Sequence, residues 1–478
     1  MIMEALKLKE EKKDMGFLER YFKLSKYKTD VKTEVIAGFT TFITMSYALL
    51  VIPNILKFSG MNAAGLKGDA AAQLTILNDT VVASIFAGTC IVAAIGTLIM
   101  SLYANLPFAV APGIGLTAFF TYGVTLTLGY SWKQGLAAVM ISGILFILIT
   151  VTSIREKIVD SLPKNIKIAI TSGIGLFIAL IGLKSGGIII SNPGTLVSLG
   201  DFTKPNVILT LIGIVVMGIL IARRVKGAML ISILITTVIG IPMGVTNVTG
   251  VKFLSAPPSF IPTFMKMDFQ GLLSHGGSGI VGGLTNIFMI VLTFSLVDLF
   301  DTIGTLVGTA QKANMIEKDG RVRNMKKALL ADAVATTLSA LFGGTTTATY
   351  VESTSGIAEG GRTGLTTFVV GILFILSIFL GGVVGVVPSE ATAPALVIVG
   401  ILMMESIKEI DFSDFTEALP AFFTIAIMPF SYSIANGIAA GIIFYPVMKV
   451  ATGKHKDVHP IVYILAILFV LRFILLPQ

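Results

Sequence analysis

The stretch GGTTTATYVESTSG, residues 343–356, interrupts a long apolar part of the chain with threonine, glycine and one carboxylate, Glu352. A second interruption, NLPFAVAPGIGLTAFF at 105–120, brings proline and glycine into another apolar run. Because proline and repeated glycine disfavour an unbroken helix, each stretch is predicted to be a short extended piece followed by half a helix.

The composition around these stretches indicates a membrane protein. The chain has 478 residues, of which 54% are hydrophobic and 13% charged, with a mean hydropathy of +0.90. Soluble domains carry about 25% charged residues. Continuous apolar runs of about 20 residues recur along the chain, which favours helices over a barrel. The single Cys90 excludes an internal disulfide, and the charged first 34 residues predict no cleavable signal peptide.

We predict an all-α polytopic membrane protein with about fourteen spans. Their approximate limits are 33–55, 80–102, 108–127, 131–153, 166–188, 206–223, 227–247, 279–308, 326–343, 349–361, 364–387, 391–407, 414–430 and 432–451. A further apolar segment, 459–476, is either another span or a helix at the membrane interface.

The basic residues predict the orientation of these spans. With a cytoplasmic N-terminus, lysine and arginine concentrate in inside segments, and the outside loops keep only scattered lysines. This bias is the positive-inside pattern of a multi-pass protein of the cell membrane. The net charge of +8 therefore reflects orientation and does not indicate a nucleic-acid partner. The inside segments are 7–32, 155–164, 223–226, 312–327 and 449–456.

The two broken stretches fall in predicted spans 3 and 10, seven spans apart. They therefore occupy the same position in two seven-span halves, and the second half is inverted because seven is odd. A pair of interrupted segments at matching positions indicates a transporter binding site. The alternative is a pair of kinks that serve helix packing.

Span 8 contains SLVDLFDTIGT, residues 295–305, in which Asp298 and Asp301 share one face of a helix. A carboxylate at membrane depth is costly and marks a functional site by default. Two adjacent carboxylates resist double ionisation, so the pair is a candidate proton carrier. The alternative is a structural polar cluster. We predict that one of the two is functional, with Asp301 the ligand group.

Glu352 and Ser353 fall where span 10 becomes helical, so backbone N–H donors and a carboxylate acceptor are available to a small planar ligand. The alternative is that Glu352 only caps its own half helix. Asp332, in span 9, is predicted either to link the unwound segments or to pair with a basic residue of the preceding loop. Glu359 and Arg362 are expected to form a structural pair.

Other kinds of chemistry find little support in the sequence. The three histidines lie outside the predicted spans, and there is no Cys/His metal cluster and no phosphate-binding loop motif. We therefore expect no metal, no cofactor and no enzymatic activity. Because the sequence has no motif for binding ATP, we expect an ion gradient to be the energy source for transport.

These motifs, together with TEVIAGFTTFITMSYALLVIPNIL at 33–56, resemble the AzgA-like purine permeases of the nucleobase–cation symporter-2 family, in order over essentially the whole chain. The resemblance implies two inverted seven-span repeats, with substrate bound between short strands in spans 3 and 10. Spans 1–4 and 8–11 would form a core domain, and spans 5–7 and 12–14 a gate domain. The implied segments are an N-terminal cytoplasmic segment (1–32), core (33–155), gate (156–250), an extracellular connection (251–278), core (279–388), gate (389–452) and a C-terminal segment with an apolar helix (453–478).

The resemblance also implies roles for individual residues. Asp301 and Glu352 match the two acids that hydrogen-bond the nucleobase ring in this family. The neighbouring backbone contacts point to Phe108 and Val351, and Asp332 matches an acidic position in span 9. Ser353 adds a hydroxyl to the substrate site.

Two threonine positions bear on the substrate. Thr117 is a predicted substrate contact, and it stands where such permeases commonly have an asparagine. Thr302 and Thr305 stand near the span 8 acid, where uracil-type relatives carry histidine. This favours purines over uracil.

The expected function is import of hypoxanthine, guanine or adenine by proton symport, through an alternating-access, elevator-like mechanism. Asp298, Asp301 and Asp332 are the candidate proton carriers, and a homodimer is the implied assembly. One alternative is Na⁺ coupling. Another is an anion transporter of the related fold. Such a transporter would be expected to have arginine or lysine at the two breaks, and neither stretch contains one. A membrane-embedded protease is a third, although a catalytic dyad usually converges from two helices.

Overall fold

The computed structural model describes residues 16–152, 161–248, 254–274 and 322–475 continuously. Between the last two ranges it also describes residues 287, 288, 290–295, 297, 298, 302, 305, 306, 309, 310 and 315. Much of predicted span 8 therefore lies outside the described residues, and so does Asp301.

The described part of the chain is mainly helical, and eight of its helices are long and apolar enough to cross a membrane. These eight are Val31–Leu56, Thr80–Ala104, Trp132–Val151, Lys164–Ser185, Pro205–Ala222, Gly364–Val384, Ser389–Glu409 and Ile434–Ala451. Shorter apolar helices are Ile114–Thr127, Ala228–Gly240, Phe415–Phe430 and the part Pro460–Leu471 of the last helix. Further helices are Phe17–Phe22, Phe269–Ser274, Met325–Leu341 and Ser353–Ala358. The prediction of an all-α polytopic membrane protein is confirmed.

Polar side chains fix where several spans begin. Asp30 precedes span 1 and accepts a hydrogen bond from the N–H of Thr33. Asp79 caps the start of span 2 in the same way. At the start of span 4, Ser131 and Gln134 form a reciprocal capping box. These contacts satisfy N–H groups that a helix end leaves without partners.

Within Val31–Leu56, span 1 consists of two consecutive helices, Val31–Met45 and Ala48–Leu56, where the sequence predicted one continuous span at 33–55. At the division the N–H of Leu49 donates to the C=O of Ser46, three residues back instead of four. Pro53 removes one further donor from the second helix. The helix tightens at the division and continues as a separate piece.

The interruptions in spans 3 and 10 are confirmed. Strand β1, Val110–Pro112, precedes the helix Ile114–Ala118, which continues as a π-helix. Strand β4, Thr347–Thr349, precedes the half helix Ser353–Ala358. The two strands pair antiparallel, as expected for equivalent segments of inverted halves. They bring spans 3 and 10 together inside the protein.

Two peripheral elements complete the description. Strands β2, Ile189–Asn192, and β3, Leu196–Leu199, form an antiparallel hairpin between spans 5 and 6. The apolar segment predicted at 459–476 forms the helix Pro460–Leu475, which packs against span 14.

The long helices pack in two sets. Spans 1, 2, 3, 4, 9, 10 and 11 contact one another, and spans 5, 6, 7, 12, 13 and 14 contact one another. Contacts between the sets involve mainly spans 1 and 3 on one side and spans 5, 7, 12 and 14 on the other. The strand pair lies in the first set, next to the spans that form this boundary.

Candidate binding site

The short sheet allows extended chain to exist deep inside the protein. Beyond the paired strands, the N–H of Tyr350 donates to the C=O of Ala109 at 3.0 Å. At the other end, the N–H of Gly113 donates to the C=O of Thr346, also at 3.0 Å. Unpaired backbone groups are costly away from water, so each broken span supplies the partners that the other one needs.

Glu352 lies where the extended part of span 10 turns into its half helix, Ser353–Ala358. Its side chain makes no capping hydrogen bond to that helix. Instead, Oε1 accepts a hydrogen bond from the hydroxyl of Tyr47 at 2.7 Å. Tyr47 is buried and Glu352 is half-buried. The capping alternative is therefore wrong, and the carboxylate is held at the junction by another span.

The residues predicted to stand beside Glu352 differ in their surroundings. The side chain of Val351 is 49% exposed. The side chain of Phe108 is fully buried in an apolar cluster. Ser353 is fully buried too, and its Oγ accepts the N–H of Ala109 at 3.0 Å. Ser353 thus braces the strand of span 3 against span 10, and substrate contacts by these residues stay predictions.

Thr117 ties the two broken spans together on the span 3 side. Its hydroxyl donates to the C=O of Gly113 at 2.8 Å and lies 2.7 Å from Oγ1 of Thr345. Either hydroxyl can be the donor in the contact between Thr117 and Thr345. Thr117 is fully buried. Its place in a substrate site stays a prediction.

A buried polar network links span 8, span 9 and strand β4. Asp332 accepts hydrogen bonds from Oγ1 of Thr347 at 3.2 Å and from Oγ1 of Thr302 at 3.0 Å. The same Thr302 hydroxyl lies 3.2 Å from Oδ1 of Asp298. Both aspartates are fully buried. Asp332 thus contacts the unwound segment of span 10, and its predicted link to the unwound segment of span 3 stays a prediction. Asp301, outside the described residues, stays a prediction.

The sequence analysis missed two residues of span 1. Tyr47 is the partner of Glu352, and the fully buried Glu34 accepts the N–H groups of Arg362 at 2.8 Å and Thr366 at 3.1 Å. A signal for both was present, because a buried tyrosine hydroxyl and a carboxylate in an apolar run each need a polar partner. The sequence could not show which partner each would find.

Glu359 and Arg362, which were expected to pair with each other, have separate partners in the structure. Glu359 forms an ion pair with Lys226, at the start of span 7. Arg362 donates to the C=O groups of Ile357 and Gly361.

No group of three or more His, Cys, Asp or Glu side chains in the described part of the chain could hold a metal ion.

Broken spans that cross through paired strands, with buried acids beside them, define a multi-pass membrane transporter. Comparison with solved structures supports the fold. The transmembrane domain of the cyanobacterial bicarbonate transporter BicA superimposes with a TM-score of 0.61, over 86% of this chain and 97% of that one. At 15% identity, this likeness concerns the fold alone.

The chain belongs to the xanthine/uracil permease family, because the family model described as "Permease family" matches residues 32–440. The adenine permease AdeP of Escherichia coli is 41% identical over 459 residues, covering 96% of each chain. The guanine/hypoxanthine permease PbuG of Bacillus subtilis is 39% identical over 461 residues, covering 96% of this chain and all of that one. The resemblance to purine permeases is confirmed, and the protein is a transporter, not an enzyme.

Proposed function

We propose that this protein imports purine nucleobases across the cell membrane by proton symport, with its N-terminus in the cytoplasm. The observation that carries the proposal is the position of Glu352. Its carboxylate stands at the start of a half helix, beside the paired strands and in contact with span 1. An acceptor at that position matches the ring N–H groups of a purine.

The names of the relatives support a purine substrate. AdeP is an adenine permease and PbuG a guanine/hypoxanthine permease, and each aligns with nearly the whole chain. An anion, such as the bicarbonate carried by the fold relative BicA, is disfavoured here because the site presents a carboxylate. The negative charge of a bound anion and that of the Glu352 carboxylate would repel each other.

The shared hydroxyl of Thr302 supports a proton as the coupling ion. It lies within hydrogen-bond distance of both Asp298 and Asp332, yet it has only one proton to donate. Protonation of one of the two acids would let that acid donate to Thr302, so that each contact becomes a separate hydrogen bond. The network therefore has a place for one proton, in contact with strand β4 through Thr347. Asp301 is the third proposed carrier.

The two helix sets support an elevator-like mechanism. We assign residues 33–155 and 279–388 to a core domain and residues 156–250 and 389–452 to a gate domain. A small cleft lies at the boundary, between Asn54 and Tyr122 of spans 1 and 3 and Ser185 and Ser389 of spans 5 and 12. Movement of the core set along the gate set would expose the site alternately on each side.

The test is uptake by the purified protein in liposomes. With an inward proton gradient, radiolabelled hypoxanthine, guanine or adenine should accumulate at least about tenfold more than with no gradient. A sodium gradient alone should have no effect. Accumulation driven only by sodium would overturn proton coupling, and failure to transport any of the three bases would overturn the purine assignment.

Thr302→Val tests the proton network separately. The variant keeps the shape of the side chain and removes the hydroxyl between Asp298 and Asp332. We expect gradient-driven accumulation to fall about tenfold while exchange of internal for external base continues. Thr305→Val, one helical turn further along the same span, is the matched control. Equal losses in accumulation and exchange would contradict a role in coupling.

A further inference from the structure

The first helix of span 1 supports the half helix of span 10 along its length. At one end, Oε1 of Glu34 accepts the N–H of Arg362, just beyond the half helix, at 2.8 Å. In the middle, Gly356 lies so close to the C=O of Ala37 that a side chain on that glycine would collide with the backbone. Span 1 therefore fixes the position of the half helix, and with it the junction that carries the carboxylate.

At the other end, span 1 reaches Glu352 twice. The hydroxyl of Thr44 lies 3.4 Å from the C=O of Glu352. The hydroxyl of Tyr47 donates to Oε1 of the same residue at 2.7 Å. Tyr47 stands at the division between the two helices of span 1 and is 1% exposed. Its ring is buried, so packing fixes the position of its hydroxyl oxygen.

This hydrogen bond divides the carboxylate of Glu352 into two unlike oxygens. Oε1 already accepts a hydrogen bond from the Tyr47 hydroxyl. Oε2 has no hydrogen-bond partner among the described residues, so it is the oxygen left for a ligand. A carboxylate with both oxygens available pairs best with two adjacent N–H donors, as it does with the two-pronged side chain of arginine. When the Tyr47 hydroxyl occupies one acceptor site of Oε1, a two-pronged donor has to share that oxygen with it, whereas a single donor can use Oε2 alone.

We propose that Tyr47 is a specificity-determining residue that limits Glu352 to one N–H donor of the substrate. The inference rests on the proposed function. Guanine presents a ring N–H and a neighbouring amino N–H side by side, whereas hypoxanthine presents the ring N–H without the amino group. The Tyr47 hydroxyl competes with the amino group for Oε1, so it narrows the difference in affinity between these two bases.

The experiment compares the inhibition constants of hypoxanthine and guanine in liposomes, with radiolabelled hypoxanthine as the transported base. Tyr47→Phe keeps the buried ring and removes only the hydroxyl. We expect the ratio of the hypoxanthine constant to the guanine constant to rise at least about threefold, because one added hydrogen bond to a charged group is worth about tenfold or more.

Tyr350→Phe is the matched control. Its hydroxyl donates to the C=O of Pro112 at 2.6 Å, across the strand pair. The variant therefore removes a hydrogen bond that stabilises the same site but is not made to Glu352. A loss of local structure should weaken both bases by the same factor and leave the ratio unchanged. A ratio that stays within twofold in Tyr47→Phe, or that rises equally in Tyr350→Phe, would overturn the inference.

A double-mutant comparison gives a second, independent readout. Glu352→Asp shortens the side chain and withdraws the carboxylate from Tyr47. In that background, Tyr47→Phe should no longer change the hypoxanthine-to-guanine ratio. A further change of the same size would show that Tyr47 acts elsewhere, against the inference. Wild-type protein that transports none of hypoxanthine, guanine and adenine would overturn the proposed function itself, so the two failures are distinguishable.

Discussion

Spans 3 and 10 have the same architecture but differ in chemistry. Both contain a three-residue strand that leads into a helix, and the two strands pair with each other. Strand β1 consists of Val, Ala and Pro, and the helix after it is buried and extends to Thr127. Strand β4 has threonine at both ends, and its half helix is only six residues long.

This difference shows that the two halves of an inverted repeat can have different roles. The backbone of span 3 supplies partners for the extended chain of span 10, and its side chains pack. Span 10 carries the carboxylate, Glu352, and contacts the acid network through Thr347. Symmetry of the backbone is compatible with asymmetry of the site, because strand pairing uses main-chain groups alone. The following predictions test that division.

The largest effect is expected at Glu352. Glu352→Gln replaces a charged acceptor by a neutral amide, and hydrogen bonds to charged groups contribute about 1.5–3 kcal/mol. We expect the apparent affinity for purines to fall by about 10- to 100-fold in liposome uptake. Glu359→Gln, at the far end of the same half helix, should change affinity less than about threefold. Similar losses in both variants would place the effect in the half helix and not in its carboxylate.

A smaller effect is expected in strand β4. Thr347→Val removes the hydroxyl that donates to Asp332, which leaves a buried carboxylate short of a donor at a cost of about 1–3 kcal/mol. Proton-driven accumulation should fall about tenfold. Thr349→Val is the control, since the Thr349 hydroxyl has no hydrogen-bond partner among the described residues. If the control lost as much accumulation, the strand and not the acid network would be responsible.

The helices that follow the two strands should differ in their tolerance of added bulk. A Cβ at Gly356 would collide with the backbone of Ala37, whereas at Gly115 it would meet only side-chain atoms of Ile174 at 3.0 Å and Ile178 at 3.3 Å. Overpacking costs about 1–3 kcal/mol. Gly356→Ala should lower the thermal unfolding temperature in detergent by several degrees, and Gly115→Ala by less. The reverse order would contradict the closer packing of span 10 on span 1.

The smallest effect is expected on the span 3 side. Thr117→Val removes the hydroxyl contact with Thr345, worth about 1 kcal/mol. Purine affinity should fall about fivefold or less. Thr121→Val is the control one turn along span 3, because its hydroxyl has no partner within the described part of the chain. A loss as large as that of Glu352→Gln would mean that span 3 supplies a direct ligand.

The span limits and the two breaks could be predicted because they depend on local composition. Apolar run lengths locate the helices to within a few residues at most ends, and Pro112 and the threonines near 347 mark the interruptions. The division of span 1 at Tyr47 was not predicted. Its cause is a local tightening of the backbone, which an apolar stretch with a distant proline does not reveal.

The sequence by itself determined that this protein crosses a membrane many times, that two spans are broken, and that acids lie among apolar spans. These follow from hydropathy and backbone preference, which act over a few neighbouring residues. Only the tertiary structure decided that Glu352 is held by Tyr47, 305 positions away along the chain, and that Asp332 reaches both Thr302 and Thr347. Packing between distant segments determines these partners. A buried polar group needs a donor or an acceptor, and the residues near it in the sequence do not show which distant residue will supply it.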